Sequence, residues 1–445
     1  MPNPFFPLLL VLGLGLSAQA STLPQAPFAS PQLSQLEPLY AFVQTLEKAA
    51  GYLGVSEWME TTGLHLLLLP ATQSAWKQKG LAVDKPFILQ TPSRLACMGV
   101  ADSKALAAAV EALPGEDKTT QKASLRFKVV RTGPTRSFML FWSSTQLCLQ
   151  PHVAAAKTAT SPKQLEETLA TTSAALKTAA QQPRPSLRAN NNTLEVEPLS
   201  PQQLKLRLSL ANLPWKIKTP QEGKTALASS STESGVLLKV HGIPPEEVLR
   251  HTALMAALSP KGDALLAQKQ AWFERLAPLL SEEFLLKIDY PQGRGTERFL
   301  LMAKIKADSE AAFKEWLEQM PKEAQAPSAV LSSKRGPLSL GSQGQWAFAT
   351  NNTELALAHI EEVGKAKAER APQLAALIFP KTLSAFFQGE TLVSAMLGLS
   401  RKQIRMLMFN LPLKNLAQSL SHIKMETHLR PNHSAEMWVD IVLGP

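Results

Sequence analysis

Beyond its first twenty residues this chain of 445 residues has no run of about eighteen consecutive apolar residues, which excludes a later membrane-spanning helix of ordinary length. Cysteine is almost absent: Cys97 and Cys148 are the two in the chain. Both sit in short apolar runs that read as strands of one domain, so in an oxidising compartment they are natural disulfide partners, while two buried thiols acting as small hydrophobes remain the alternative. Aromatic residues make up 6% of the chain and three of them are Tyr. Only Phe127 falls within the basic stretch 118–136, too few aromatics for the stacking platform that nucleic acid requires. Catalytic signatures are missing too. No G-x-S-x-G elbow, phosphate-cradling loop ending in Gly-Lys-Ser/Thr, dinucleotide fingerprint or H-E-x-x-H occurs. Gly341-Ser342-Gln343-Gly344 has the wrong spacing for an elbow and reads as a turn.

What is present describes an exported globular protein. Hydrophobic residues reach 45% and charged residues 18%, as in folded rather than disordered chains, and the length calls for two domains. An apolar run from Phe5 to Leu16 leads into Ser17-Ala18-Gln19-Ala20, the pattern of a signal peptide cut after Ala20. The preceding Met1-Pro2-Asn3-Pro4 lacks the usual Lys or Arg, and Ser21 in place of Cys gives no site for a lipid anchor. The expected mature chain is periplasmic or secreted, and soluble or peripherally bound. The net charge of +10 includes a loose cluster at Lys118, Lys122, Arg126, Lys128, Arg131 and Arg136. These read as the solvated face of a strand.

Segments recur in order at an interval of about 198 to 207 residues. Leu95–Ser103 and Leu300–Ser309 each run from a strand toward a helix, with Asp-Ser as N-cap material and a proline, Pro114 or Pro321, beyond the end. Arg131-Thr132-Gly133-Pro134 answers Lys334-Arg335-Gly336-Pro337. Leu199–Lys205 answers Leu399–Arg405, Asn212-Leu213-Pro214 answers Asn410-Leu411-Pro412, and Val236–Gly242 answers Trp438–Gly444. The expectation is a signal peptide over 1–20, a first α+β repeat over 21–250 and a second over 251–445.

Each repeat opens with an amphipathic helix, carried by Leu36, Leu39, Tyr40, Val43, Leu46 and Ala50 in the first and by Leu265, Trp272, Phe273, Leu276 and Leu280 in the second. A strand is expected next, Leu64–Leu69 or Phe284–Ile288, then the capped helix, a hairpin around the Gly-Pro turn, and a strand such as Gln345–Ala349 entering a helix at Thr353. The first repeat has a longer helix, with Ser161, Pro162 and Gln164 as capping box and Leu165, Leu169, Thr172 and Leu176 on one face. Residues 181–193 read as a surface loop. Alternation at Leu204, Leu206, Leu208 and Leu210 indicates a sheet wet on one side, hence antiparallel pairing and the α+β class. The interrupting helices argue against an outer-membrane barrel.

Through Gly344-Gln345-Trp346-Ala347-Phe348-Ala349-Thr350 and Ala307-Asp308-Ser309-Glu310, more weakly through Ala101-Asp102-Ser103 and Thr145-Gln146-Leu147, the chain resembles a diffuse group of bacterial exported proteins of unknown function with an internally duplicated α+β unit. The resemblance covers most of the mature chain. It implies an envelope location, and the group brings no known enzyme activity and no transferable site residue.

The remaining candidates are few. His422 and His428 share a strand parity with Glu426, and His433 lies nearby, but no Cys or acidic triad joins them to complete a metal site. His359 stands beside Glu361 and Glu362 on an expected helix. Paired acids at Glu166-Glu167, Glu246-Glu247 and Glu282-Glu283 fit helix starts or loops. Phe379, Leu383, Phe386, Phe387 and Met396 fall in an apolar cluster that forms either a core or a groove for a lipid or peptide. Asn191, Asn351 and Asn432 open sequons that matter only in a eukaryotic secretory pathway. No residue is assigned to catalysis, a cofactor or a metal. The reading that fits is a non-catalytic binding or scaffolding protein for an envelope protein, lipid or glycan, with no nucleic-acid partner. A hydrolase of envelope polymers working through two facing carboxylates and a structural module of a larger assembly are the alternatives.

Overall fold

The computed structural model describes residues 27–50, 55–90, 93–114, 120–122, 125–133, 136–152, 161–189, 192–211, 224–232, 235–246, 274–289, 298–319, 329–333, 336–379, 415, 418–430 and 434–444. The signal-peptide segment 1–20, the start of the second leading helix and the repeat segments Asn212–Pro214, Leu399–Arg405 and Asn410–Pro412 lie outside the described residues. The chain divides into two compact units, Met1–Leu208 and Ser209–Pro445.

The first unit begins with β1 (Phe28–Ser30), α1 (Leu36–Ala50), α2 (Val55–Thr62), α3 (His65–Leu68) and α4 (Gln73–Gln78). It continues through β2 (Phe87–Gln90), β3 (Leu95–Gly99), α5 (Ser103–Glu111), β4 (Thr120–Lys122), β5 (Leu125–Gly133), β6 (Arg136–Trp142) and β7 (Gln146–His152). α6 (Pro162–Ala180), β8 (Ser186–Ala189), β9 (Asn192–Ser200) and β10 (Gln203–Leu210) complete it. The strands hydrogen-bond in the order β4-β5-β6-β7-β3-β2-β1-β8-β9-β10.

Local chemistry starts the helices where the sequence indicates. The Asp102 carboxylate accepts from the N–H groups of Lys104 and Ala105 at the head of α5. Ser161 and Gln164 form the reciprocal capping box of α6. α4 stops on a Schellman turn: Gly80 at φ +79° donates to the Lys77 carbonyl and Leu81 to that of Trp76.

Three expectations are corrected here. Leu64–Leu69 is not a strand but contains the short helix α3, because a continuous apolar run has no period to separate the two. Its last carbonyls, and that of Leu69 beyond it, are satisfied by side chains of α4 and its C-cap: Trp76 Nε1 donates to Leu68 and Lys79 Nζ to Leu67 and Leu69. The stretch 181–193 is not a plain loop, since β8 and β9 pair from Ser186↔Glu195 to Ala189↔Asn192. Lys128 does not face solvent. It is 3% exposed and donates to the Val110 and Glu111 carbonyls at the end of α5, where the helix dipole favours a cation.

Helices cover both faces of the central strands. On one side Leu165, Leu176 and Ala179 of α6 meet Leu95, Cys97, Phe141 and Cys148. On the other, Met59, Leu67, Trp76, Leu106 and Val110 meet Ala96, Met98, Phe138, Leu140 and Leu149. Double burial explains why β3 and most of β6 are unbroken apolar runs, and it corrects the expectation of one wet face. Within this unit clean alternation is confined to β10 and the first half of β9.

The second unit holds β11 (Lys224–Thr225), a 3-10 turn (Ala226–Ser229), β12 (Val236–His241), β13 (Leu280–Asp289), β14 (Arg298–Ile305) and α7 (Glu310–Glu318). β15 (Ala329–Ser333), β16 (Gly336–Gln343), β17 (Trp346–Thr350) and α8 (Thr353–Lys365) come next, then β18 (Glu369–Arg370), β19 (Leu374–Ile378), β20 (Leu420–Arg430) and β21 (Ser434–Leu443). Its main sheet runs β15-β16-β17-β14-β13-β12-β19-β20-β21, antiparallel throughout. β11 and β18 form a separate antiparallel pair. β12 bonds to β13 and β19 and so belongs to the second compact unit, which begins at Ser209. Ala356, Ile360 and Val363 of α8 pack on Leu285, Leu300, Met302 and Phe348, while Phe313 of α7 packs on Phe284, Ala303 and Ile305 of the opposite face. Asn352 caps α8 through the Leu355 N–H. Ser309, by contrast, does not cap α7, and its hydroxyl donates to Asp308 instead.

Candidate ligand cavity in the second unit

β19 lies between β12 and β20, so each of its side chains is flanked by one from either neighbour. Ala375 stands opposite Lys239 on one side and Glu426 on the other; Leu377 stands between Leu237 and Lys424. A methyl group between two long polar side chains leaves a hollow in the sheet surface. The 3-10 turn with Ser230 and the segment Glu369–Pro372 wall it, giving a cavity of about 320 Å³, at the small end of the range for small-molecule sites. Leu377, Ala375 and Pro372 supply its apolar lining, with Leu227 and Leu237 buried beneath.

The walls are pinned by hydrogen bonds. His241 lies opposite Glu283, and its Nε2–H donates to the Ala371 carbonyl at 2.7 Å. Since a carbonyl only accepts, this bond fixes the tautomer. Thr225 donates its hydroxyl to Glu283 at 2.6 Å and accepts from Leu227 N–H, and Lys304 pairs with the same carboxylate at 2.5 Å. Glu282 and Glu283 therefore lie within β13, not in a helix start or loop, and Glu283 anchors the turn.

Lys239 is the chemical centre of the cavity. Its Nζ donates to the Ala228 carbonyl at 2.8 Å. Two ammonium protons have no acceptor among the described residues, although removing a cation from water without one is costly. Burial first, and the charge of Lys424 second, lower its pKa to about 8, with Glu426 offsetting part of the effect. Lys424 itself is held by Glu426 at 2.8 Å. Ser230, which is 4% exposed, has a buried Oγ with no hydrogen-bond partner among the described residues. The one sequence-level signal for this site is a lysine inside Val-Leu-Leu-Lys-Val-His, a strand otherwise read only as repeat material.

The residues singled out from sequence go elsewhere. Cys97 and Cys148 face one another across β3 and β7 and form a disulfide. Phe379 is half-buried against the His422 ring, whereas Leu383, Phe386, Phe387 and Met396 of the expected groove lie outside the described residues. Among the described residues no three His, Cys, Asp or Glu side chains converge on a metal position. Nor, among them, is any helix long and apolar enough to cross a membrane. The amide oxygens of Asn351 and Asn352 are engaged with Phe299 N–H and Leu355 N–H.

His359 is 5% exposed on α8, its Nδ1 3.3 Å from Glu362 and its Nε2 buried with no partner among the described residues. Burial first and Lys287 second push its pKa below 6.5, against a partial counter-effect of Glu362 and Asp289. The folded unit thus prefers neutral imidazole. Stability from this group is complete above the unfolded pKa of 6.5 and falls as pH drops through it toward the lower folded value. The urea midpoint of the second unit should decline between about pH 7 and pH 5, and His359→Gln should flatten that decline. An unchanged slope would remove His359 as its source.

Together these features define an α+β protein of helix-covered antiparallel sheets, with a cation-bearing cavity in the second unit. No family model, curated protein or solved structure matches the chain.

Proposed function

We propose that this chain is an exported cell-envelope protein that binds a partner without transforming it, built from two diverged copies of one α+β unit. The observation that carries the binding reading is the hollow over Ala375, walled by apolar side chains and holding an unneutralised lysine. Export is supported by the Phe5–Ala20 pattern and by a disulfide, which persists in oxidising compartments. The resemblance to exported bacterial proteins with a duplicated unit points the same way.

Support for the duplication comes from strand order. β5-β6-β7-β3-β2-β1-β8-β9-β10 and β15-β16-β17-β14-β13-β12-β19-β20-β21 correspond strand by strand. A helix follows the fourth strand of each order, β3 or β14, and another follows the third, β7 or β17. This alignment revises two sequence matches: β12 takes the place of β1 between its neighbours, with β21 in that of β10, and β13 takes the place of β2 and not of Leu64–Leu69. The copies then begin near residues 28 and 236. The sequence matches at Leu95/Leu300 and at the Gly-Pro turns fit the alignment unchanged.

Expression of the full chain in a bacterium tests export and binding together. The envelope fraction should yield protein beginning at Ser21, and its native mass spectrum should contain a population carrying an additional small mass. Full-length protein beginning at Met1 in the cytosol would overturn export. The absence of both a bound mass and a reproducible crosslinked neighbour would overturn binding.

A further inference from the structure

We infer that the cavity above Ala375 is a site for a small aliphatic monocarboxylate, its carboxylate paired with Lys239 and its hydrocarbon body on Leu377, Ala375 and Pro372. This deepens the binding reading and rests on it.

The argument is one of unmet valence. Among the described residues Lys239 has one acceptor, the Ala228 carbonyl, and the ammonium group can serve three. No carboxylate among the described residues is paired with it, because Glu426 is taken up by Lys424 and Glu283 by Lys304 and Thr225. A carboxylate would supply the missing charge and acceptors, with the Ser230 hydroxyl on the same wall as a further donor. Glu426 on the floor and Glu369 at the rim would repel a second negative charge, which favours a monoanion over a phosphate dianion. The apolar surface of Leu377, Ala375 and Pro372 favours a body of methylenes over a polyol, and the volume of about 320 Å³ limits that body to a short chain.

Charges facing Lys239 set the pH dependence. They are Lys424 and Glu426 on β20, His241 on its own strand, and Glu369 and Arg370 on β18. An anion raises the lysine pKa, so binding requires the protonated amine. Affinity should be level from about pH 6, above which the ligand carboxyl is ionised, to about pH 8 and drop about tenfold per pH unit above that.

Isothermal titration of the full chain with hexanoate tests this, with hexanol and inorganic phosphate as the two controls. Saturable binding of hexanoate, at least about tenfold tighter than hexanol, is the expected result. Lys239→Met should abolish that preference while leaving the circular dichroism and urea midpoint no worse, because removing a desolvated cation does not weaken the fold. Ala375→Leu, which fills the hollow and keeps the lysine, should abolish binding as well. Equal binding of hexanol, tighter binding of phosphate, or unchanged hexanoate affinity in both variants overturns the carboxylate site. A neutral mass found on the native protein would overturn this inference and leave the broader binding reading standing.

Discussion

Replacing Cys97 and Cys148 together by alanine is expected to destabilise the first unit by about 4 kcal/mol. The bridge joins positions 51 residues apart, and restricting a loop of that length in the unfolded chain contributes about this much in the loop-entropy treatment. Both sulfurs are fully buried between β3, β7 and α6, beside Leu165 and Phe141, so lost packing adds to the deficit. A urea titration that follows the first unit, with tryptophan fluorescence as the signal, reads the change as a shift in midpoint at constant slope. Wild-type protein unfolded and refolded in strong reductant should show much of the same loss. A change below about 1 kcal/mol in both measurements, under the 2–5 typical of native bridges, would mean that the crosslink does not hold this sheet together.

Gly80→Ala should be nearly as damaging, at about 2–5 kcal/mol for left-handed backbone strain plus overpacking. At φ +79° an added Cβ would lie 2.2 Å from the Asp102 carbonyl and 2.6 Å from the Leu106 nitrogen. Neither is the movable end of a side chain. The Gly80 carbonyl also receives the N–H groups of Ala101 and Asp102, so the same residue ends α4 and fixes the entry to α5. A shift in the collar around Gly80 should reach Leu106, which is fully buried in the core beneath. Gly344→Ala is the contrasting control. Its φ is +55°, yet nothing stands within 4 Å of the added atom, and its cost should stay near the backbone strain alone, about 1 kcal/mol. Equal losses in the two variants would show that the contacts at Gly80 do not matter.

Features governed by neighbours in sequence were legible. The Ser161–Gln164 box, the Asp102 cap, the passage from Trp346–Thr350 into α8 and the alternation of β10 all depend on residues a few positions apart. Where a long-range contact decides, the reading went astray. Leu64–Leu69 carries no period, and its helical form is held by Trp76 and Lys79 from beyond Pro70. Lys128 looks like one more surface cation until α5 ends against it. Two prolines and three asparagines hid a hairpin at 186–195. The cavity was out of reach for the same reason, since it needs Ala375 between Lys239 and Glu426, an adjacency that only the completed sheet creates.

β1 has a consequence for how the chain is made. It is three residues long, and it bridges β2 at Phe87–Leu89 and β8 at Ser186–Leu187. The two halves of the first sheet therefore stay separate until residue 187 is available to meet residue 28. Such distant closure is slow compared with hairpin formation. On the export reading, a polypeptide fed head first through a translocation channel would deliver this short keystone ahead of both its partners, and would reach the far side before it can knit into a body too wide to pass.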